Sequence, residues 1–340
     1  MTTQNVDRAS ASANAAVRSK ATTARLARRL APWPLLLATA CFSLAAQAAP
    51  VYIALGDSIT FGETDLAYVP SYGDRGYVGR FADTLAARNG GVRPQVFNFA
   101  IDGETAASFS SGKGRTPPVV GRTDVPLALQ NLHYQVNLVP QSQQFASTIA
   151  AQRAGGNTVQ AVTMTLGFNE LAALSALPTA EALARLPQTL ADYRINLTTV
   201  VSQVRSLAPE ASVALLGYFN PFPANPGNPA APIFDVGGAQ LNAVIRSVAA
   251  QQGAFYVDTA AAFVGREAAL TFIDEQPAGS SIGGRFGGVM PIGNVHPNDL
   301  GYGAIAAQVS VVPEPASWAL MAAGLLAVGV RGFRSVRRRA

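Results

Sequence analysis

The sequence predicts an α/β protein in which helices cover both faces of a central parallel sheet, a three-layer α/β/α sandwich. Two observations support this fold class. Short apolar runs rich in Val, Ile and Phe alternate along the chain with longer amphipathic stretches, which is the pattern of strands joined by helical crossovers. In addition, 49% of the 340 residues are hydrophobic and only 13% are charged, so the chain can bury a large core.

Five buried strands are predicted, each ending near a Gly, Asp or Asn residue. In chain order they are 51–55, 96–100, 161–166, 213–216 and 255–257. The helices are predicted from amphipathic stretches at 77–88, 142–153, 181–207, 238–252 and 299–309. The Gly- and Pro-rich stretches 112–126, 221–232 and 277–293 are predicted to be long loops, which in such folds gather at active-site rims.

The net charge of +5 does not indicate a nucleic-acid partner, because the excess lies at the two ends. Residues 1–48 hold six basic groups and one acid, and the last ten residues hold five arginines and no acid. Residues 49–312 have 14 basic and 18 acidic residues, a net charge of −4. With one cysteine and two histidines, a disulfide scaffold and a multi-thiolate metal centre are excluded. No cofactor is expected.

Residues 1–48 are predicted to be a secretory signal peptide. Basic residues ending at Arg28 and Arg29 precede the apolar stretch 35–45, which is followed by Ala-Gln-Ala ending at Ala48. An uncleaved membrane anchor is the alternative, although the apolar stretch is shorter than the ~20 residues that a span needs. Cys41 lies in this segment, so the mature protein is expected to contain no cysteine.

The C-terminal residues carry a second targeting pattern. Val312-Pro313-Glu314-Pro315 precedes the apolar run 316–330, and five arginines follow. This order resembles the PEP-CTERM sorting signal of Gram-negative bacteria. The resemblance implies that a short transmembrane helix in the tail 312–340 holds the exported protein in the inner membrane, with the arginines on the cytoplasmic side, until an exosortase-like enzyme cuts near residues 313–315. A permanent anchor is the alternative.

Between these ends, residues 49–311 carry polar sequences at successive strand ends. Ser58 lies in Gly-Asp-Ser-Ile-Thr after the first strand, at the sheet edge where open α/β folds bind ligands. Asn-Phe-Ala-Ile-Asp-Gly follows the second strand and ends at Gly103, and Gly-Phe-Asn-Glu follows the third and contains Asn169. Val-His-Pro-Asn-Asp, with His296, precedes the last helix. Taken alone, the Gly-Asp-Ser turn is an ordinary helix cap, and capping is the role expected of Asp57.

In this order the four sequences resemble the four blocks of the SGNH/GDSL hydrolase superfamily, over about residues 51–310. The resemblance implies a flavodoxin-like fold and an esterase or lipase activity. It implies Ser58 as the nucleophile, His296 as the general base, and an oxyanion hole formed by Ser58, Gly103 and Asn169. A serine hydroxyl needs an adjacent base to become nucleophilic, and a glycine without Cβ lets the backbone approach an oxyanion closely.

The sequence departs from this family at one position. The family pattern Asp-x-x-His places an aspartate three residues before the histidine, where this chain has Gly293. Asn294 and Asp299 are nearby, but neither holds the family position. Three interpretations remain open: a Ser58–His296 dyad oriented by a backbone carbonyl, a substitute acid such as Asp299, Asp274 or Asp258, and reduced activity.

The sequence therefore predicts a secreted serine hydrolase that cleaves carboxylic esters, as an esterase or lipase or as a carbohydrate deacetylase. Its expected partners are an ester substrate (an acylated glycan, a lipid or a small ester), an exosortase-like processing enzyme and, transiently, the inner membrane. The expected location is the periplasm, cell surface or extracellular matrix. Two alternatives are a catalytically weak protein of the same fold that binds extracellular glycans, suggested by the absent acid, and a phospholipid-directed lipase.

Overall fold

The structure, a computed structural model, describes residues 49–64, 76–112, 139–280 and 290–312. The predicted signal peptide and the predicted tail beyond Val312 lie outside these residues, as does most of the predicted loop 112–126. Five parallel strands form one sheet in the order β2-β1-β3-β4-β5. They are β1 (Pro50–Gly56), β2 (Gln95–Asn98), β3 (Thr158–Thr165), β4 (Ser212–Leu216) and β5 (Phe255–Val257).

Ten α-helices are present in the described part of the chain, together with one turn of 3₁₀ helix at Phe222–Ala224. They are α1 (Ser58–Phe61), α2 (Tyr77–Arg88), α3 (Ser108–Ser111), α4 (Gln141–Ala154), α5 (Phe168–Leu174), α6 (Thr179–Leu207), α7 (Ala231–Gln251), α8 (Ala260–Phe263), α9 (Glu267–Leu270) and α10 (Asp299–Val309).

The predicted three-layer fold class is confirmed. Helices α2 and α10 pack against each other, and α4, α6 and α7 form a second group in which α6 contacts both of the others. The sheet lies between helical layers and is therefore buried on both faces, as the fully buried strand β4 illustrates. On the α2 side, the rings of Tyr52 and Phe81 pack edge to face with their centroids 5.2 Å apart.

All five predicted strands and all five predicted helices are present, and α2 and α10 have the predicted bounds. Other boundaries differ by one to three residues, and one differs by more. Helix α7 begins at Ala231, seven residues before the predicted start, and so takes up the end of the predicted loop 221–232. The reason is that Pro232 lies in the first turn of the helix, where a proline ring suits the backbone and no N–H group is needed.

The strand order places the ends of β1, β2 and β3 side by side. The chain crosses from β1 to β2 on one side and then returns to β3 on the other side of β1. In open α/β sheets, the crevice beyond the carboxyl ends of the strands at such a reversal is where ligands bind. Ser58 comes just after β1, so the predicted nucleophile lies at the sheet edge where the strand order reverses.

The described chain leaves the domain at the opposite, amino edge of the sheet. After α10 the backbone continues to Val312, which is buried and lines a small cavity with Ala161 of β3 and Ser212, the first residue of β4. The Arg88 guanidinium holds this end by donating to the Val312 carbonyl at 2.9 Å and to the Ser310 carbonyl. Within the ranges that the structure describes, no helix is long and apolar enough to cross a membrane.

Candidate active site

Ser58 follows β1 in a tight turn. Asp57 caps helix α1 by accepting a hydrogen bond from the Ile59 N–H group at 3.1 Å, as the sequence predicts. Gly56 has a φ of +129°, and a Cβ atom there would lie 2.1 Å from the Thr165 carbonyl oxygen. Glycine is needed here because a side chain would separate β1 from β3. The turn leaves Ser58 at the carboxyl edge of the sheet, 8% exposed.

The Asp57 carboxylate, next to the predicted nucleophile Ser58, is buried in a network of hydroxyl groups. Its Oδ1 accepts from the Thr165 hydroxyl at 2.8 Å, and its Oδ2 accepts from the Tyr218 hydroxyl at 2.5 Å. From Thr165 the hydrogen-bonded network continues through the hydroxyl groups of Thr60, Tyr77, Thr163 and Tyr52. Burial raises the pKa of Asp57 to about 7.

The folded protein is expected to be more stable at pH 5 than at pH 8. Burial also raises the pKa of Glu170, which accepts a hydrogen bond from the Ala106 N–H group at 2.7 Å, to about 7. Between about pH 4 and pH 7 the folded state therefore retains protons that the unfolded state has released, and the free energy of unfolding falls as pH rises through this window. Urea unfolding at a series of pH values measures this slope.

The variant Asp57→Asn tests which group is responsible. In this variant the free energy of unfolding should fall less between about pH 4 and pH 7 than in the wild type. The difference over the whole window is at most about 4 kcal/mol, since one pKa unit corresponds to about 1.36 kcal/mol. Asp258→Asn is the control, because this half-exposed carboxylate lies outside the network. Equal slopes in Asp57→Asn and the wild type would contradict the prediction.

The loops after β2 and β3 bring Gly103 and Asn169 together. Gly103 has a φ of +77°, a conformation that favours glycine. The Asn169 side-chain amide donates to the Glu104 carbonyl at 2.9 Å, so it is fixed against the residue next to Gly103. The Ile101 N–H group donates to the Gly56 carbonyl at 3.0 Å, which joins the same loop to the turn before Ser58. The predicted oxyanion-hole residues thus lie on directly connected segments.

Gln141 is a buried residue of this site that the sequence reasoning missed. Its side-chain amide pairs with both backbone groups of Gly56, accepting from the N–H group at 2.8 Å and donating to the carbonyl at 2.6 Å. It also donates to the Glu104 carboxylate at 2.8 Å. Gln141 therefore connects the end of β1 to the loop that carries Gly103. A glutamine at the start of a helix carries no sequence signal that would have identified this role.

His296 is held by a short backbone pairing with the segment after α9. The Phe272 N–H group donates to the His296 carbonyl at 3.1 Å, and the Asn298 N–H group donates to the Leu270 carbonyl at 2.9 Å. Asn298 also caps α10, accepting from the Gly301 N–H group at 3.0 Å. These contacts fix the backbone on both sides of the imidazole, which is 3% exposed.

The Nδ1 atom of His296 lies 2.7 Å from Oδ1 of Asn294. The same oxygen accepts a hydrogen bond from the backbone N–H group of His296 at 3.1 Å. The amide nitrogen of Asn294 donates to the Thr64 carbonyl at 2.9 Å and to Oε1 of Gln276 at 2.6 Å. Asn294 is fully buried, so this set of contacts is shielded from water.

The predicted acids lie elsewhere. Asp299 pairs with Arg80 at 2.5 Å on the surface, with 67% of its side chain exposed. Asp274 is exposed, and Asp258 lies 3.6 Å from the Arg246 guanidinium. The structure places Asn294, rather than any of these three carboxylates, on Nδ1 of His296.

Two carboxylates lie near the imidazole of His296, on the side of Nε2. Oε2 of Glu63 lies 3.9 Å from Nε2 of His296, and a ligand oxygen of Asp102 lies within 4.8 Å of both. These three residues could hold a metal ion, but an ion bound to Nε2 would occupy the nitrogen that a general base needs. The two uses of His296 are therefore mutually exclusive.

The hydroxyl of Ser58 makes no hydrogen bond with any residue that the structure describes, so the structure does not pair it with His296. Their segments are nonetheless in contact. The Thr64 carbonyl beyond α1 accepts from Asn294, and the Glu63 carbonyl accepts from the Tyr302 hydroxyl at 2.6 Å. Hydrogen bonds between a nucleophile and its base are often long without substrate and shorten in the complex.

A serine, a histidine and an amide side chain at the carboxyl edge of a parallel α/β sheet are the groups that serine hydrolases use. Comparison with known families agrees with this class. Residues 54–304 match the model of the GDSL-like lipase/acylhydrolase family. The chain therefore belongs to this family, which confirms the resemblance seen in the four sequence blocks. Residues 311–338 match the PEP-CTERM protein-sorting motif, which confirms the second resemblance.

Several solved structures of hydrolases are similar to this chain at low sequence identity. A lipase from a goat rumen metagenome is 18% identical, with 78% of this chain and 97% of that chain covered and a TM-score of 0.50. Phospholipase A1 from Streptomyces albidoflavus NA297 is 22% identical, with coverage of 78% and 100% and a TM-score of 0.47. An acetylxylan esterase from Geobacillus stearothermophilus is 18% identical, with coverage of 77% and 93% and a TM-score of 0.45. No curated protein matches the sequence.

Proposed function

We propose that this protein is an exported serine hydrolase that cleaves carboxylic esters through an acyl-enzyme intermediate, with Ser58 as nucleophile and His296 as general base. The observation that carries the proposal is the hydrogen bond from the Asn169 amide to the Glu104 carbonyl, together with Gly103 in the same loop. This contact holds Asn169 against the loop of Gly103, and the Ile101–Gly56 hydrogen bond joins that loop to the turn before Ser58. The chain also belongs to an acylhydrolase family.

In the first step, Oγ of Ser58 attacks the ester carbonyl carbon while its proton moves to Nε2 of His296. The electron pair of the carbonyl double bond moves to the oxygen and forms a tetrahedral oxyanion. Collapse of this intermediate breaks the bond to the alcohol oxygen, which takes the proton back from Nε2. Water then attacks the acyl-enzyme in the same way and releases the carboxylic acid and Ser58.

The oxyanion is stabilised by the backbone N–H groups of Ser58 and Gly103 and by the side-chain amide of Asn169. The hydrogen bond from Asn169 to Glu104 fixes the plane of the amide, and with it the direction of the second N–H group. Because these donors are positioned before the reaction, they need little reorganisation as charge develops. One such donor typically contributes about 3 kcal/mol to stabilising the transition state.

The proposal places the enzyme outside the cytoplasm of a Gram-negative bacterium. Residues 1–48 direct export, and the sorting motif at 311–338 holds the protein at the inner membrane for cleavage by an exosortase-like enzyme. The substrate class that suits this location is an acylated glycan or another ester of the cell surface or matrix.

The test uses the full chain purified in dodecyl maltoside, a detergent without ester bonds. We expect a fluorophosphonate probe to form one covalent adduct, on Ser58, and we expect hydrolysis of p-nitrophenyl acetate, butyrate or palmitate. A preference for acetate would favour a carbohydrate deacetylase, and a preference for palmitate a lipase. A folded protein that neither reacts with the probe nor hydrolyses any ester, but binds glycans saturably, would replace the proposal with the glycan-binding alternative.

A further inference from the structure

We propose that Asn294 is the residue that positions His296, so that a neutral amide does the work of the aspartate absent at position 293. The inference rests on the proposed function for its kinetic consequence, but its structural content concerns the imidazole alone. The residue that orients the base is then two positions before the histidine, rather than three.

The direction of the Asn294 amide is determined by partners whose hydrogen-bonding roles are unambiguous. The backbone N–H group of His296, which can only donate, lies 3.1 Å from Oδ1. The Thr64 carbonyl, which can only accept, lies 2.9 Å from Nδ2. Exchanging the two amide atoms would break both bonds, so the atom that faces the imidazole is the oxygen.

The amide oxygen in turn determines the tautomer of His296. An oxygen that lies 2.7 Å from Nδ1 forms a hydrogen bond only if Nδ1 carries the proton. In the neutral imidazole Nε2 is then unprotonated and has the lone pair that a general base needs. The opposite tautomer would place two lone pairs against each other in a fully buried contact, which is unfavourable.

An amide orients the imidazole but does not supply a negative charge. In a Ser-His-Asp triad, replacing the acid by an amide costs about 10⁴-fold in kcat because the imidazole takes the wrong tautomer. Here the contacts of the amide nitrogen with Thr64 and Gln276 hold the oxygen toward Nδ1, and this loss is avoided. The charged groups near the imidazole are Glu63 and Asp102, on the Nε2 side.

The tautomer can be measured without any activity, because the chain has only two histidines, His133 and His296. In ¹⁵N-histidine-labelled protein at alkaline pH, long-range ¹H–¹⁵N spectra distinguish a protonated Nδ1 from a protonated Nε2, and a His133→Gln sample assigns the signals. We expect the Nδ1–H tautomer for His296 in the wild type and a shift toward the Nε2–H tautomer in Asn294→Ala.

Asn228→Ala is the matched control. Asn228 is also a buried asparagine, and its amide donates to the Ile292 carbonyl at 2.9 Å, so it supports the same loop without touching the imidazole. This variant should keep the wild-type tautomer. In Asn294→Ala we expect kcat for p-nitrophenyl acetate to fall by about 10²-fold or more while KM changes little.

Asn294→Asp provides a second variant that keeps an oxygen on Nδ1. Its other oxygen loses the hydrogen bond to the Thr64 carbonyl, but the Gln276 amide can turn to donate to it. We expect it to retain the Nδ1–H tautomer and to move the acidic limb of the kcat/KM profile about one pH unit higher, because a negative charge favours the imidazolium. If the side chain at position 294 did not contact Nδ1 in solution, that limb would not move.

The outcomes separate this inference from the proposed function. A wild-type protein with the Nε2–H tautomer, or an Asn294→Ala variant with unchanged tautomer and unchanged kcat, overturns the role of Asn294. Absence of any Ser58-dependent hydrolysis overturns the proposed function, and the tautomer measurement still decides on Asn294. If Asn294→Ala does not fold, the wild-type tautomer and the pH profile of Asn294→Asp decide.

Discussion

Replacing Ser58 by alanine is expected to lower kcat for p-nitrophenyl ester hydrolysis by at least about 10⁴-fold, and to abolish labelling by the fluorophosphonate probe. The size follows from the mechanism, since removal of the nucleophile leaves only the oxyanion donors and substrate binding. Stability should be unaffected. The Ser58 hydroxyl makes no hydrogen bond with a described residue, and Asp57, rather than Ser58, caps the helix.

The control for this experiment is Ser147→Ala, which removes an exposed helical hydroxyl that bonds only to the Gln144 carbonyl of its own helix. It should keep full activity and labelling. Hydrolysis that persists in a folded Ser58→Ala variant would mean that another group attacks the ester, and the assignment of the nucleophile would be wrong.

Gly293→Asp, the substitution that restores the family pattern, is expected to destabilise the protein by about 3 kcal/mol or more and to lower activity. Gly293 has a φ of +74°, which costs a residue with a side chain about 1–2 kcal/mol. A Cβ atom there would also lie 2.8 Å from the Gln276 carbonyl oxygen and the Pro277 carbonyl carbon, so the backbone must move, at a further cost of about 1–3 kcal/mol. Because the Asn294 N–H group donates to Gln276, this movement displaces Asn294 from His296.

Gly265→Asp separates the cost of the positive φ from the cost of the Cβ clash. Gly265 has nearly the same φ, +72°, but a Cβ atom there meets nothing within 4 Å. It should cost only about 1 kcal/mol, as measured by urea unfolding, and should leave kcat unchanged. If Gly293→Asp proved as stable as Gly265→Asp and more active than the wild type, the site would accept the aspartate after all.

The fold was predictable because short apolar runs alternate with longer helical stretches along the chain. Strand β5 and helices α2 and α10 have the predicted bounds. In α2 the buried residues recur at helical spacing, whereas α10 begins at its Asn298 cap. The short helices that follow strand ends, such as α1 and α5, were not predicted, because four to seven residues are too few to show a helical period. Their positions depend on tertiary contacts with the sheet edge.

The residues of the candidate site were predictable only where they belong to a recognisable sequence motif. Ser58, Asn169 and His296 belong to recognisable sequence blocks, and the structure brings their segments together. The contact between Asn294 and His296 could not be predicted, because it depends on how the loop turns at Gly293. A substitute for the missing aspartate was expected among the carboxylates, whereas the group on Nδ1 is an uncharged amide.

The position of Val312 has a consequence for the proposed tether. Ser58 and His296 lie at one edge of the sheet, and α10, whose 11 residues span about 16 Å, leads from the His296 loop to the other edge. The sorting motif begins there, without a long connecting segment. If the sorting motif tethers the protein as proposed, the tether begins at the end of the domain opposite to the candidate site. The crevice of Ser58 and His296 and the point of attachment then lie at different edges of the sheet.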